Sequence, residues 1–272
     1  MQAPIIDDEL WALIEPLLPK PGRRSNERRG RPRVSERAAL NGVLFVLRTG
    51  IRWNHLPTQL GFGSGATCWR RLDAWQKAGV WNRLHTLLLD RLREAGKLDL
   101  SYAAVDSSSV RAVGAGGKTG PNPTDRARPG SKHHVLVDAH GVPVSVILTG
   151  ANRNDVTQLL PLVDAIPPIR GTRGRPLRKP KVIYGDRGYD SDAHRKRLRD
   201  RDIRPVIARR RTEHGSGLGK FRWVVERTHS WLHNFRRLRI RFDRRSDIHE
   251  AFLKFACSLV CWNIFKRAES AF

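Results

Sequence analysis

At Leu98 the hydrophobic period of the chain changes, and this restricts the fold more than any other feature. Before it, apolar residues recur at three- and four-residue steps: Leu10, Leu13, Ile14, Leu17 and Leu18, then Leu40, Val43, Leu44 and Leu47, then Leu84, Leu87, Leu88 and Leu92. The spacing predicts helices over residues 7–18, 35–48, 66–78 and 80–95, the second capped by Ser35 and stopped at Gly50. After it, short apolar runs alternate with turn residues. They predict strands over 99–106, 133–138, 142–149, 182–185 and 203–208, and helices over 156–166, 191–201, 220–238 and 247–267. Ala139-His140-Gly141 reads as a hairpin turn. Three strands, a helix, a strand, a helix, a strand and closing helices make a mixed α/β sheet covered by helices. The expected division is a helical module at 1–98 and an α/β domain at 99–272.

Charge narrows the partners. The chain has 272 residues, with 51 Lys+Arg against 26 Asp+Glu and a net charge of +25. More than half of that excess falls in residues 151–250. Basic charge concentrated in a folded region is a nucleic-acid footprint. No uncharged apolar run reaches 18 residues, so no membrane partner is expected. The acidic start (Asp7, Asp8, Glu9) fits neither a signal nor a transit peptide. Cys68, Cys257 and Cys261 form no disulfide framework or zinc pattern, which suits a reducing cytoplasm. Several short helices, one carrying Arg70 and Arg71 between Trp69 and Trp75, suit a helix-turn-helix-like DNA module. Arg-Gly-Arg-Pro occurs twice, placing Arg29 and Arg31 (with Arg33 just beyond) and Arg173 and Arg175 in extended basic segments suited to a minor groove.

Against this background three acids stand out. Asp106 ends the run Ser-Tyr-Ala-Ala-Val-Asp, Asp186 ends Lys-Val-Ile-Tyr-Gly-Asp, and Glu226 lies in the helical segment after the last strand. Carboxylates beside a polyanion repel it unless a cation intervenes, and divalent ions held by a few carboxylates serve phosphodiester chemistry. Taken singly, Asp106 and Asp186 also read as turn formers, and Glu226 as an i−4 partner of Arg222.

Four motifs extend the reading. Val-Asp-Ser-Ser-Ser-Val-Arg-Ala at 105–112, Gly-Ser-Lys-His-His-Val-Leu-Val-Asp-Ala-His-Gly at 130–141, Gly-Asp-Arg-Gly-Tyr-Asp at 185–190 and Arg-Trp-Val-Val-Glu-Arg-Thr-His-Ser-Trp-Leu at 222–232 resemble the insertion-sequence-five family of bacterial DDE transposases. Gly-Arg-Pro-Arg at 30–33 and Thr-Gly-Ile-Arg-Trp at 49–53 resemble that family's N-terminal domain. The resemblance implies a ribonuclease-H-like core at 99–272, with Asp106, Asp186 and Glu226 holding two Mg2+ or Mn2+ ions. It further implies cleavage and strand transfer at the inverted repeats of a mobile element, with double-stranded DNA as partner and a homo-oligomer assembled on it. Of the family's Tyr, Arg and Lys around the glutamate, Arg222 is in place. Gly219 and His233 occupy the other two positions, leaving His229, Arg236 or Arg237 to contact phosphate. Two other readings stay open: a catalytically inactive DNA-binding copy acting as a repressor, and a metal-dependent nuclease on another nucleic acid.

Overall fold

The computed structural model describes residues 6–20, 33–212 and 217–269. Arg29 and Arg31, with the first Arg-Gly-Arg-Pro copy, lie outside the described residues.

The helical half begins with α1 (Asp8–Ile14), whose N-terminus is capped by the Asp7 side chain. The helix expected to reach residue 18 gives way at Glu15–Leu17 to a 3₁₀ turn, because Pro16 has no amide hydrogen to continue the ladder. Next come α2 (Glu36–Thr49), α3 (Gly65–Lys77) and α4 (Val80–Glu94). Ser35 caps α2 as expected, and Gly50 ends it in the left-handed conformation at φ 73°. A Cβ on Gly65 would lie 1.8 Å from the Trp53 carbonyl oxygen, so only glycine lets α3 start against that segment.

The sheet is built around β1 (Ala103–Ala112). On one side β1 pairs antiparallel with β3 (Pro129–Asp138), which pairs antiparallel with β4 (Pro143–Gly150). The short β2 (Gly120–Pro121) pairs with the start of β3. After α5 (Val156–Asp164), β5 (Val182–Gly185) lies parallel to β1. After α6 (Asp192–Arg199), β6 (Arg204–Ile207) continues the parallel edge. Three antiparallel strands followed by two parallel ones is the ribonuclease-H-like arrangement that the resemblance implies. The chain closes with α7 (Gly219–His233), α8 (Arg236–Arg239), the two-residue β7 (Ile240–Arg241) and α9 (Ser246–Glu269).

Two differences from the sequence expectation affect the site. The first strand does not end at Asp106: it runs six residues further, because Ser107, Ser108 and Ser109 pair with His134, His133 and Lys132 of β3. The helix expected over 220–238 breaks after His233. Phe235 takes an extended conformation (φ −79°, ψ 101°) and buries its ring, so α8 starts in a new direction.

One apolar core runs from Ile6 to Trp262. The beam through it is α9, which packs on α3, α4, α7 and β4. Trp81 of α4 meets Phe255 of α9 at 4.7 Å, and Trp262 Nε1 donates to Asp7 Oδ2 at 2.9 Å. Residues Ser246–Arg267 are long and apolar enough to cross a membrane, but 72% of their most apolar window is buried within the fold. Cys68, Cys257 and Cys261 are free thiols buried in this core.

Candidate active site

Alternation along the strands distributes the site between the two faces of the sheet. Opposed residues in β1 and β3 share a face, so Asp106 and Ser108 look one way with Val135 and His133. Ser107 looks the other way with His134. The first face is covered by α7 and α9: Ser108 Oγ lies 3.3 Å from His233 Nε2, and His133 Nε2 lies 2.8 Å from His249 Nε2. The second face meets the start of α5, where Ser107 Oγ donates to Asp155 at 2.7 Å.

The pose of α7 follows from its apolar stripe. Val224, Val225, Thr228, His229 and Leu232 are buried at helical spacing. At its N-terminal end the Phe221 ring stacks on Tyr184 at 4.4 Å, and Tyr102 closes edge-on. Further along, Thr228 Oγ1 donates to the Gly141 carbonyl at 2.7 Å. Between these anchors Glu226 lies off the stripe and is exposed. Arg222, one turn earlier, is half-buried and brings Nη2 to 3.9 Å from Asp106 Oδ1.

Asp186 follows β5 and caps a 3₁₀ turn over Arg187–Tyr189, accepting from the Gly188 amide at 2.8 Å. The turn-former reading is therefore realised. The Asp106 carboxyl is pushed up to about 6, first by burial and further by the charges of Asp186 and Glu226, while Arg222 pulls it down. The three acids thus share one electrostatic neighbourhood. They do not form a closed cluster: among the described residues, no group of three or more His, Cys, Asp and Glu side chains is arranged to hold a metal ion. Like charges keep such groups apart until a cation joins them. The oxygen donors and the depressed acidity of Asp106 fit a hard divalent ion, and Arg222 is the cation now nearest Asp106.

The other basic and histidine positions separate by surroundings. Arg237, expected at phosphate, is buried, with Nη2 3.1 Å from Asp243 Oδ1 and Nη1 3.0 Å from the Ile51 carbonyl. It ties α8 to the end of α2, because the break before α8 turns it inward. His229 is buried as well, with its ring against the Asp106 backbone. His233 is half-buried against Ser108. Arg71 pairs with Glu36 at 3.0 Å, and Arg33 with the same carboxylate at 2.6 Å. Arg70, Arg173, Arg175 and Arg236 are exposed.

Sequence reasoning passed over Asp155, Lys132 and Tyr189. Asp155 precedes an apolar helical run and so reads as an ordinary helix cap, yet its side chain makes no cap bond. It takes the Lys132 ammonium at 2.9 Å instead. The pairing of β1 with β3 brings Lys132 near Ser107, where Asp155 meets both, and the parallel pairing of β5 with β1 brings up the turn that carries Tyr189.

The comparisons with known proteins agree with this architecture. Residues 98–261 match a family model described as a transposase DDE domain, and residues 6–85 one described as a putative transposase of the IS4/5 family. The chain is 74% identical over 154 residues to a putative transposase for insertion sequence element IS402 of Burkholderia cepacia, covering 57% of this chain and 73% of that one. It is 65% identical over 123 residues to an uncharacterized 16.2 kDa protein of insertion element IS402, also of Burkholderia cepacia, covering 45% and 84%. A solved pre-cleavage Mos1 transpososome aligns over 91% of this chain and 82% of that one at 12% identity, with a TM-score of 0.27, too low to bear on the fold. With a DDE-domain match over more than half its length and a 74%-identical relative most of whose length it covers, the chain belongs to the DDE transposase family.

Proposed function

We propose that this transposase cuts and joins DNA at the ends of an insertion sequence, with Asp106, Asp186 and Glu226 as the carboxylates that hold divalent ions, Mg2+ or Mn2+. The observation that carries the reading is Asp106, whose carboxyl is raised to about 6 in part by the charges of both other acids. Divalent ions, when bound, would supply Lewis-acid stabilisation of the phosphorane-like transition state. The chain's own residues bind and orient. Asp106 sits on a central strand and Asp186 at the head of a turn that its own carboxylate caps by accepting from the Gly188 amide, two rigid supports. Arg222 is half-buried beside Asp106 and has a donor without a partner, so it is suited to a phosphate oxygen.

In the reaction read here, water substitutes at the phosphorus of a phosphodiester at the element end and the 3′ oxygen leaves as a hydroxyl. That hydroxyl then attacks a target phosphodiester in line, one P–O bond forming as another breaks. Joining two ends takes two such sites, so the working unit is an oligomer on double-stranded DNA. The exposed cations Arg70, Arg173, Arg175 and Arg236 would lie on its backbone.

The test is Mn2+-dependent nicking of a duplex carrying the element end, comparing the wild type with Asp106→Asn, Asp186→Asn and Glu226→Gln. Loss of nicking with retained DNA binding is expected in each. Nicking that survives in purified Glu226→Gln would remove Glu226 from the set.

A further inference from the structure

We propose that Asp155 is a positioning residue for this reaction: it holds Ser107 of β1 and Lys132 of β3 on the reverse face of the sheet and faces the turn that carries Asp186, so that the two aspartates are set before a cation arrives. The inference rests on the metal-dependent reading above.

Each oxygen of Asp155 has its own task. Oδ1 accepts from Ser107 Oγ at 2.7 Å and from Lys132 Nζ at 2.9 Å, with His134 Nδ1 at 3.7 Å. Ser107 follows Asp106 on β1 and points to the opposite face, so fixing its side chain fixes the strand at the catalytic position. Lys132 is only 9% exposed, and its ammonium also donates to the Arg153 carbonyl at 2.9 Å. An ammonium buried this far costs stability unless it is paired, and Asp155 is its partner.

Oδ2 faces the Asp186 turn. A Cβ built on Gly188 would lie 3.5 Å from Asp155 Oδ2 and 3.0 Å from Asp186 Oδ1, so the two carboxylates meet over the same bare Cα. Next to it, the Tyr189 hydroxyl is buried within reach of the Ser107 side chain. Its acidity is suppressed first by burial and then by the charges of Asp155, Asp106 and Asp186, which places all three carboxylates around one phenol. One side chain therefore touches the strand of Asp106 and faces the turn of Asp186. Outer residues of this kind fix the ligands of a metal site, and losing one costs on the order of 10- to 100-fold in metal affinity.

The test uses the full chain and Mn2+ alone, with free Mn2+ followed by electron paramagnetic resonance. Asp155→Asn by itself strands a buried lysine, so the variant is Asp155→Asn combined with Lys132→Met. The expected result is an Mn2+ affinity roughly 10-fold or more weaker. In nicking assays the Mn2+ concentration for half-maximal rate should rise by the same factor, while the rate at saturating Mn2+ changes much less. Gly188→Ala, which adds a methyl between the two carboxylates, should weaken Mn2+ in the same direction and serves if the double variant does not fold. Wild-type Mn2+ affinity in a folded variant, alongside lost affinity in Asp106→Asn, would overturn the role of Asp155 and leave the metal reading intact. Wild-type affinity in Asp106→Asn as well would overturn both.

Discussion

Arg222 and Asp106 form the closest charge contact of the proposed catalytic set, Nη2 to Oδ1 at 3.9 Å, with Arg222 one helical turn before Glu226. The pair is too long for a hydrogen bond, and the guanidinium offsets only part of the burial that raises the Asp106 carboxyl. A divalent ion would therefore compete with an arginine for Asp106. Replacing the acid should relieve a buried charge while destroying the site. Asp106→Asn is expected to lower nicking by roughly 10³-fold or more and to raise apo stability at pH 7.5 by about 1–3 kcal/mol. Chemical denaturation and a nicking assay on one preparation check both signs.

The same carboxyl sets a pH dependence. With its folded value near 6, above the ordinary 3.8, Asp106 takes up a proton as pH falls through 6. A protonated carboxyl does not hold a cation, so Mn2+ affinity should decline about tenfold per pH unit below 6. Titrations between pH 5 and 8 would show it, and an affinity flat across that range would contradict the assignment.

Buried histidines make the fold acid-labile. His85 and His229 are depressed to about 4 and His249 to about 3, in each case first by burial. Groups with lowered folded values contribute stability above their unfolded value near 6.5, and that contribution is lost as pH falls toward the folded value. The full loss is about 3 kcal/mol for each of His85 and His229 and about 5 kcal/mol for His249. Asp106 and Asp138, both raised to about 6, work in the opposite sense between pH 6 and 4, but the depressed histidines, His134 among them, outnumber them. The midpoint of thermal unfolding should drop steeply between pH 6.5 and 4.5. His85→Gln, which keeps a donor for the Pro143 carbonyl, should flatten that slope.

Arg70 and Arg71 are neighbours in sequence with different surroundings. Arg70 is exposed, whereas Arg71 is paired with Glu36. Arg70→Ala should reduce the slope of log affinity against log salt for duplex DNA by about one. Arg71→Ala should leave that slope nearly unchanged and lower the unfolding midpoint instead. Fluorescence anisotropy across a salt series separates the two.

Much of this was legible in the chain. The helical first half, the caps at Ser35 and Gly50, the hairpin at 139–141 and the order of strands and helices follow from periods and turn chemistry, which act over a few residues. The length of β1 was not legible, since three serines carry no strand signal and are held there by β3. Nor was the break after His233, which depends on where the Phe235 ring finds space.

Local sequence by itself determined most of the elements, the excess of positive charge and the family motifs containing Asp106, Asp186 and Glu226, because propensity, periodicity and composition need no partner. Tertiary structure alone decided which cations are exposed, which histidines are buried and which residues stand behind the strand of Asp106. Arg237 and Arg236 are adjacent, but one ties α8 to α2 and the other faces solvent. Asp155 reads as a helix cap until the pairing of β1 with β3 brings Ser107 and Lys132 to it. Such contacts join residues far apart in the chain, and only the closed sheet sets their distances.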